Sequence, residues 1–161
     1  LMYGGGQESG LRSGTENAIL GGALALALVY AQKSEEAGAA QIAAVRDYLW
    51  SLIRAAFPDA SLHGPQGQSR VANNLNFSIP GLNGQMAVVA LDVHGIAAST
   101  RSACSAADEE PSHVLQALQV GENQAQEAIR VTLLPRATRR DARAIVRALK
   151  KVAMRYRNVV G

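Results

Sequence analysis

Ser99-Thr100-Arg101-Ser102-Ala103-Cys104-Ser105-Ala106-Ala107-Asp108-Glu109-Glu110-Pro111-Ser112-His113-Val114-Leu115 carries the only cysteine of the chain and marks a change from strand-like to helix-like sequence. Residues 96–100 before it form a small-residue run that suits a strand. After it come two alanines, three acids and a Pro-Ser step into an apolar helix. A thiol on a loop of small and polar residues between a strand and a helix can reach outward, whereas the same thiol on an apolar helix face is inert packing. A lone cysteine is more often a small buried hydrophobe than a nucleophile. Arg101, three residues upstream, argues for the reactive form, because a neighbouring cation favours thiolate.

Working outward, two segments alternate with the period of a half-buried strand. Leu75, Phe77 and Ile79 alternate with Asn74, Asn76 and Ser78, and Ile129, Val131 and Leu133 alternate with Arg130 and Thr132. Met86, Val89, Ala90 and Val93 predict a short helix closed by Gly95. Two more short helices are expected over 114–118 and 124–128. Thr138 and Asp141 read as a capping box with Asp in place of Glu. It opens a helix that turns Ile145, Val146, Leu149, Val152 and Ala153 inward and its basic residues outward.

Towards the N-terminus, a glycine-rich loop over 4–15 ends where a helix over 16–33 begins, with Thr15 as its expected N-cap. Backbone N–H groups there, with Arg12, Ser13 and Thr15 nearby, suit an anion such as phosphate, although such a loop alone is neither a Walker motif nor a dinucleotide fingerprint. Gly21-Gly22 within an apolar helix suggests close packing on another element. Residues 34–38 break the composition and are the expected hinge, before a second helix over 39–57 with Ile42, Val45, Leu49, Leu52, Ile53 and Ala56 on one face. The expected fold class is α/β, of α+β character in its small domain: a small, largely antiparallel sheet covered by helices and preceded by a long helix.

The chain has 161 residues, 48% hydrophobic and 18% charged, which excludes a disordered protein. One cysteine forms no internal disulfide and fits a reducing compartment. The longest apolar run, 18–31, is too short and too rich in Ala and Gly to span a bilayer, so a soluble, cytoplasmic protein without a membrane partner is expected. The net charge of +3 is concentrated at one end. Arg136, Arg139, Arg140, Arg143, Arg147, Lys150, Lys151, Arg155 and Arg157 form a cluster able to dock an acidic protein. No aromatic platform or nucleic-acid module accompanies it, so nucleic acid is not an expected partner and a solvated helix face is the plainer account.

Four motifs, taken together, resemble the pyridoxal-phosphate-dependent cysteine desulfurases of fold-type I, the class V aminotransferase-like group that feeds iron–sulfur cluster assembly. They are Gly4-Gly5-Gly6-Gln7-Glu8 with Gly10-Leu11-Arg12-Ser13-Gly14-Thr15-Glu16-Asn17; Asn73-Asn74-Leu75-Asn76-Phe77-Ser78; Arg101-Ser102-Ala103-Cys104-Ser105 with Glu110-Pro111-Ser112; and Ile129-Arg130-Val131-Thr132. Their order fits the C-terminal two-fifths of such an enzyme. The chain departs from the family pattern at Ser9, His113 and Leu133-Leu134-Pro135.

The resemblance implies roles. Cys104 is the nucleophile that takes sulfur from L-cysteine as a persulfide, leaving L-alanine. Arg130 holds the substrate carboxylate, and Thr15 contacts the phosphate of pyridoxal phosphate across a homodimer interface. Residues 1–38 are then the end of the large cofactor-binding domain and residues 39–161 the small domain carrying the cysteine loop. The sulfur acceptor is an iron–sulfur scaffold or another carrier protein. Pyridoxal phosphate needs a Schiff-base lysine, and Lys33, Lys150 and Lys151 all lack the family's setting for it, so this chain alone is expected to be inactive. Two other functions remain open on the residues: a non-catalytic module that carries persulfide or docks a partner, and a selenocysteine lyase-type enzyme.

Overall fold

The computed structural model describes residues 3–100 and 112–160, the side chains of 34–37 and 157–160 excepted. Cys104, Arg101 and the rest of 101–111 lie outside the described residues. The sheet is three-stranded and antiparallel: β1 (Ser61–Leu62), β2 (Asn74–Ser78) and β3 (Ala128–Thr132), in the order β1-β2-β3. Leu75 faces Val131, Asn76 faces Arg130 and Phe77 faces Ile129. Alternation along each strand then sorts the side chains. Leu75, Phe77, Ile129 and Val131 are buried in the core, and Asn74, Asn76, Arg130 and Thr132 take the opposite face.

Residues 96–100 make less of a strand than their sequence suggests. Only Ser99 pairs, bridging Arg130 on the free edge of β3 through two backbone hydrogen bonds of 3.0 and 2.6 Å. Ala97 and Ala98 have little side chain for the cross-strand packing that sustains a ladder, and Gly95, with φ +72°, turns the chain just before them.

Three helices supply the rest of the core: the second half of α1 (Ala18–Ala56), α2 (Gly84–Asp92) and α5 (Arg139–Val160). Ile42, Val45, Leu49 and Ile53 repeat every three or four residues and are buried, as are Ile145, Val146, Leu149 and Val152 of α5 and Ala87 and Leu91 of α2. Two short helices, α3 (His113–Ala117) and α4 (Glu122–Gln126), lead back to β3. The capping box closes as its residues require. The Thr138 amide and hydroxyl donate to Asp141 Oδ2 at 2.8 and 2.7 Å, and the Asp141 amide returns to Thr138 Oγ1 at 3.4 Å. These bonds hold the exposed Asp141 carboxyl below its ordinary range, led by the side-chain bond from Thr138. The basic side chains of α5 that are described are all exposed.

Two expectations about α1 are corrected. In place of separate helices over 16–33 and 39–57, one 39-residue helix continues through 34–38. Ser, Glu and Ala are compatible with a helix, and a single glycine costs only about 1 kcal/mol against alanine. Nor is Thr15 the N-cap. The helix starts at Ala18, and Asn17, an equally good cap, accepts the Leu20 amide through Oδ1 at 2.9 Å.

The chain divides into two compact units, Leu1–Ala37 and Gly38–Gly161. In the first, Gln7 Oε1 accepts from the Gly14 amide, Ser13 Oγ donates to the Tyr3 carbonyl, and Arg12 folds back on the Gly14 and Thr15 carbonyls. Ile19, Leu20, Leu24, Leu26 and Leu28 are exposed, and a Cβ at Gly21 or Gly22 would meet nothing within 4 Å. The close neighbour that this glycine pair suggests is therefore absent among the described residues.

In the second unit, Gly84 is the point of closest backbone approach. A Cβ at that position would strike the Ala128 carbonyl oxygen and come within 3.1 Å of both the Gln126 carbonyl oxygen and Thr100 Cγ2. Gly84→Ala should cost about 1–3 kcal/mol, the usual range for overpacking, read as a lower urea midpoint. An unchanged midpoint would contradict the docking of α2 on the start of β3.

Candidate functional site

The polar face of the sheet carries a row of four side chains. The β1–β2 register continues one residue past β1, where the His63 amide donates to the Asn76 carbonyl at 2.9 Å. Asn76 lies opposite Arg130, and Arg130 is bridged to Ser99. Directly opposed residues of an antiparallel pair share a face, so His63, Asn76, Arg130 and Ser99 point the same way. Because the Arg130 amide and carbonyl are engaged by Ser99, Asn76 and Arg130 form a non-hydrogen-bonded pair. That is the class whose side chains sit closest.

His63, Asn76 and Arg130 of this row line a cleft of about 300 Å³ together with Arg70, Asn74, Thr100 and Ser112, with Val114, Leu115 and Leu118 on an apolar side. Thr100 and Ser112 are the described residues that flank 101–111, so both ends of the cysteine segment border one cleft with Arg130. Arg130 is half-buried. A larger hollow of about 710 Å³ lies between α5 and residues 94–97, but neither Arg130 nor either flank of the cysteine segment lines it. Chemistry, not size, therefore selects the smaller cleft.

The wall opposite is held by two arginines. Arg46, on α1 and 2% exposed, donates to the Gly67, Arg70 and Val71 carbonyls at 3.0–3.4 Å and pairs with Asp47 at 2.8 Å. Burial of a guanidinium is tolerable when its donors are used in this way. Arg70 then bonds the Pro65 carbonyl at 2.6 Å, the Asn74 carbonyl at 3.4 Å and the His63 carbonyl. His63 is 5% exposed, and its Nε2 is buried with no hydrogen-bond partner; Asn76 Oδ1 shares that condition. Burial first, and the Arg70 charge second, push the His63 pKa below its ordinary value.

Of the residues named from sequence, Arg130 stands in the cleft and Cys104 lies outside the described residues. Thr15, in the first unit, is exposed, and only its carbonyl is engaged, by Arg12. His113 is exposed at the start of α3 and does not line the cleft. Lys33, Lys150 and Lys151 are exposed on helices, and none lines it either. The Thr15 hydroxyl is open to a phosphate, but no described residue of the cleft offers an amine to the aldehyde of pyridoxal phosphate. The described residues thus do not build a complete site for that cofactor. Among the described residues no group of three metal-ligating side chains converges, and no helix is long and apolar enough to cross a membrane. Sequence reasoning missed His63, which follows a strand of two residues, too short to show any period.

The aminotransferase class-V family model matches residues 4–145. The cysteine desulfurase IscS of Clostridium botulinum is 35% identical over 99% of this chain and 40% of its own length. The chain thus spans about two-fifths of the curated relatives it matches. Among solved structures, a NifS-like protein from Rickettsia africae superposes with a TM-score of 0.77 at 27% identity, over 95% of this chain and 39% of its own. SspA in complex with cysteine does so at 0.52 and 26%, over 86% and 36%.

A histidine held neutral in the fold links stability to pH. Below about pH 6.5 the unfolded chain takes up a proton at His63 that the folded chain refuses. Stability should therefore fall as pH drops through that value towards the lower folded pKa. Comparing urea midpoints at several pH values for the native chain and His63→Gln measures this, and the substitution should flatten the slope. Identical slopes would show that His63 is not buried neutral.

Proposed function

The chain belongs to the aminotransferase class-V family, and from that premise we propose that the whole protein is a pyridoxal-phosphate-dependent cysteine desulfurase. Its substrate is L-cysteine, and its products are L-alanine and a persulfide on Cys104. The observation that carries the reading is the place of Arg130, on the outward face of the sheet and in one cleft with both Thr100 and Ser112. A guanidinium fork matches the two oxygens of a carboxylate. Cys104 follows Thr100 by four residues, a reach of at most ~14 Å of extended chain. The cysteine desulfurase names of the relatives and the cysteine bound to SspA support the same substrate.

In this reading Arg130 binds and orients the amino acid by its carboxylate. The Cys104 thiolate attacks the substrate sulfur, and an S–S bond forms. The substrate C–S bond breaks with its electron pair left on carbon, and that carbon takes up a proton to become alanine. The sulfur stays on Cys104 as a persulfide until a thiol or an iron–sulfur scaffold accepts it. Leaving an electron pair on carbon requires an electron sink, the chemistry pyridoxal phosphate supplies when bound. The lysine that holds the cofactor comes from outside this chain. Thr15 contacts the phosphate from a second subunit of a homodimer.

Three outcomes follow in the protein that contains this chain. Cys104→Ser should abolish sulfide and alanine formation while leaving L-cysteine binding within about twofold. Arg130→Ala should raise KM for L-cysteine by about tenfold or more, the loss expected when a charge-assisted bidentate contact is removed. This chain alone, given cysteine, pyridoxal phosphate and a reductant, should make no catalytic alanine, measured by chromatography. Full activity of the Cys104→Ser protein would end the persulfide reading, and turnover by the chain alone would show that the lysine is dispensable.

A further inference from the structure

The cleft contains two polar atoms that the reading above leaves unused. His63 Nε2 and Asn76 Oδ1 are buried, without partners, on the same row as Arg130. A buried polar atom left unpaired is unfavourable, so His63 Nε2 marks a place that an acceptor ligand completes, and Asn76 Oδ1 is left to take a donor. Their chemistry is complementary. Asn76 Oδ1 is an acceptor in the closest class of cross-strand pair with Arg130, whose guanidinium has five donors and no described acceptor. A neutral imidazole has one N–H to give. Among the described residues no acid lines the cleft, and the titratable and charged groups there are His63, Arg70 and Arg130. An anion complements these described groups, and a planar carboxylate fits a guanidinium fork flanked by a single further donor.

We propose that His63, Asn76 and Arg130 act as one carboxylate-recognition row, in which Asn76 is the positioning residue of the Arg130 guanidinium and His63 Nε2–H gives the bound carboxylate an additional hydrogen bond. The proposal rests on the reading of Arg130 as the carboxylate anchor and adds two residues to it. Arg70 supports the row from behind, since its bonds to the His63 and Asn74 carbonyls hold the backbone on both sides of Asn76. Its guanidinium is occupied by backbone and does not compete for the ligand.

The test uses the full-length holoprotein with Asn76→Ala, His63→Phe, His63→Gln and, as the reference, Arg130→Ala. KM and kcat for L-cysteine are measured, together with calorimetric binding of L-alanine, which carries the same carboxylate without a sulfur to transfer. Asn76→Ala and His63→Phe should each raise KM and the L-alanine Kd about tenfold, with kcat reduced less than threefold. His63→Gln, which restores an N–H near the same position, should recover both to within threefold. A purely structural role would not give this rescue or the split between KM and kcat. If Arg130→Ala weakens binding while Asn76→Ala and His63→Phe do not, the row is wrong and the anchor stands. Equal losses in His63→Gln and His63→Phe overturn the hydrogen-bond role. Unchanged binding in Arg130→Ala removes the anchor and the row together.

Discussion

Everything at the cleft depends on the register of β2 against β3. With Leu75 opposite Val131 and Phe77 opposite Ile129, four apolar side chains enter one core and the intervening Asn74, Asn76, Arg130 and Thr132 face away from it. A slip of one residue would reverse both sets. Arg130 would then enter a layer built from Leu49, Ile53, Leu91 and Leu149, all with no exposed surface, and those apolar groups would lose their partners. The cost of burying an unpaired guanidinium and the gain from burying Phe77, about 1.5–3 kcal/mol for a side chain of its class, act in the same direction. The position of Arg130 is thus enforced by core packing on the other side of the sheet.

A second constraint shapes the far wall. Residues 64–71 have little regular structure beyond one short turn, Gly67–Ser69, and are organised from outside by Arg46. The buried guanidinium fixes the carbonyls of that segment, Arg70 is held over the sheet, and Arg70 in turn holds the His63 carbonyl. Two like charges stand near each other here. The arrangement is tolerable because Asp47 compensates Arg46 and nearly every donor meets a carbonyl. One helix residue therefore reaches the cleft through a chain of charge-assisted hydrogen bonds.

What could be read in advance followed periodicity. The alternation over 74–79 and 129–133 located β2, β3 and the outward side of Arg130, and the α5 pattern located the buried Ile145, Val146, Leu149 and Val152. The antiparallel sheet under helices was legible for the same reason. Single-residue signals did less well. Thr15 and Asn17 are both good caps, and only the hydrogen bond to the Leu20 amide distinguishes them. The acidic, glycine-containing stretch at 34–38 reads as a gap between two helices, yet its residues cost a helix too little to end one. His63 was hidden because its place comes from tertiary hydrogen bonds, not from any local pattern.

The row across the sheet draws on positions 63, 76, 99 and 130, so its members are brought together by contacts of long sequence separation. Pairings of that kind form late, because the loops between them must close before any packing rewards it. During synthesis Arg130 emerges long after His63, and the row does not exist until β3 has docked. Assembly of the row thus reports that this part of the fold is finished.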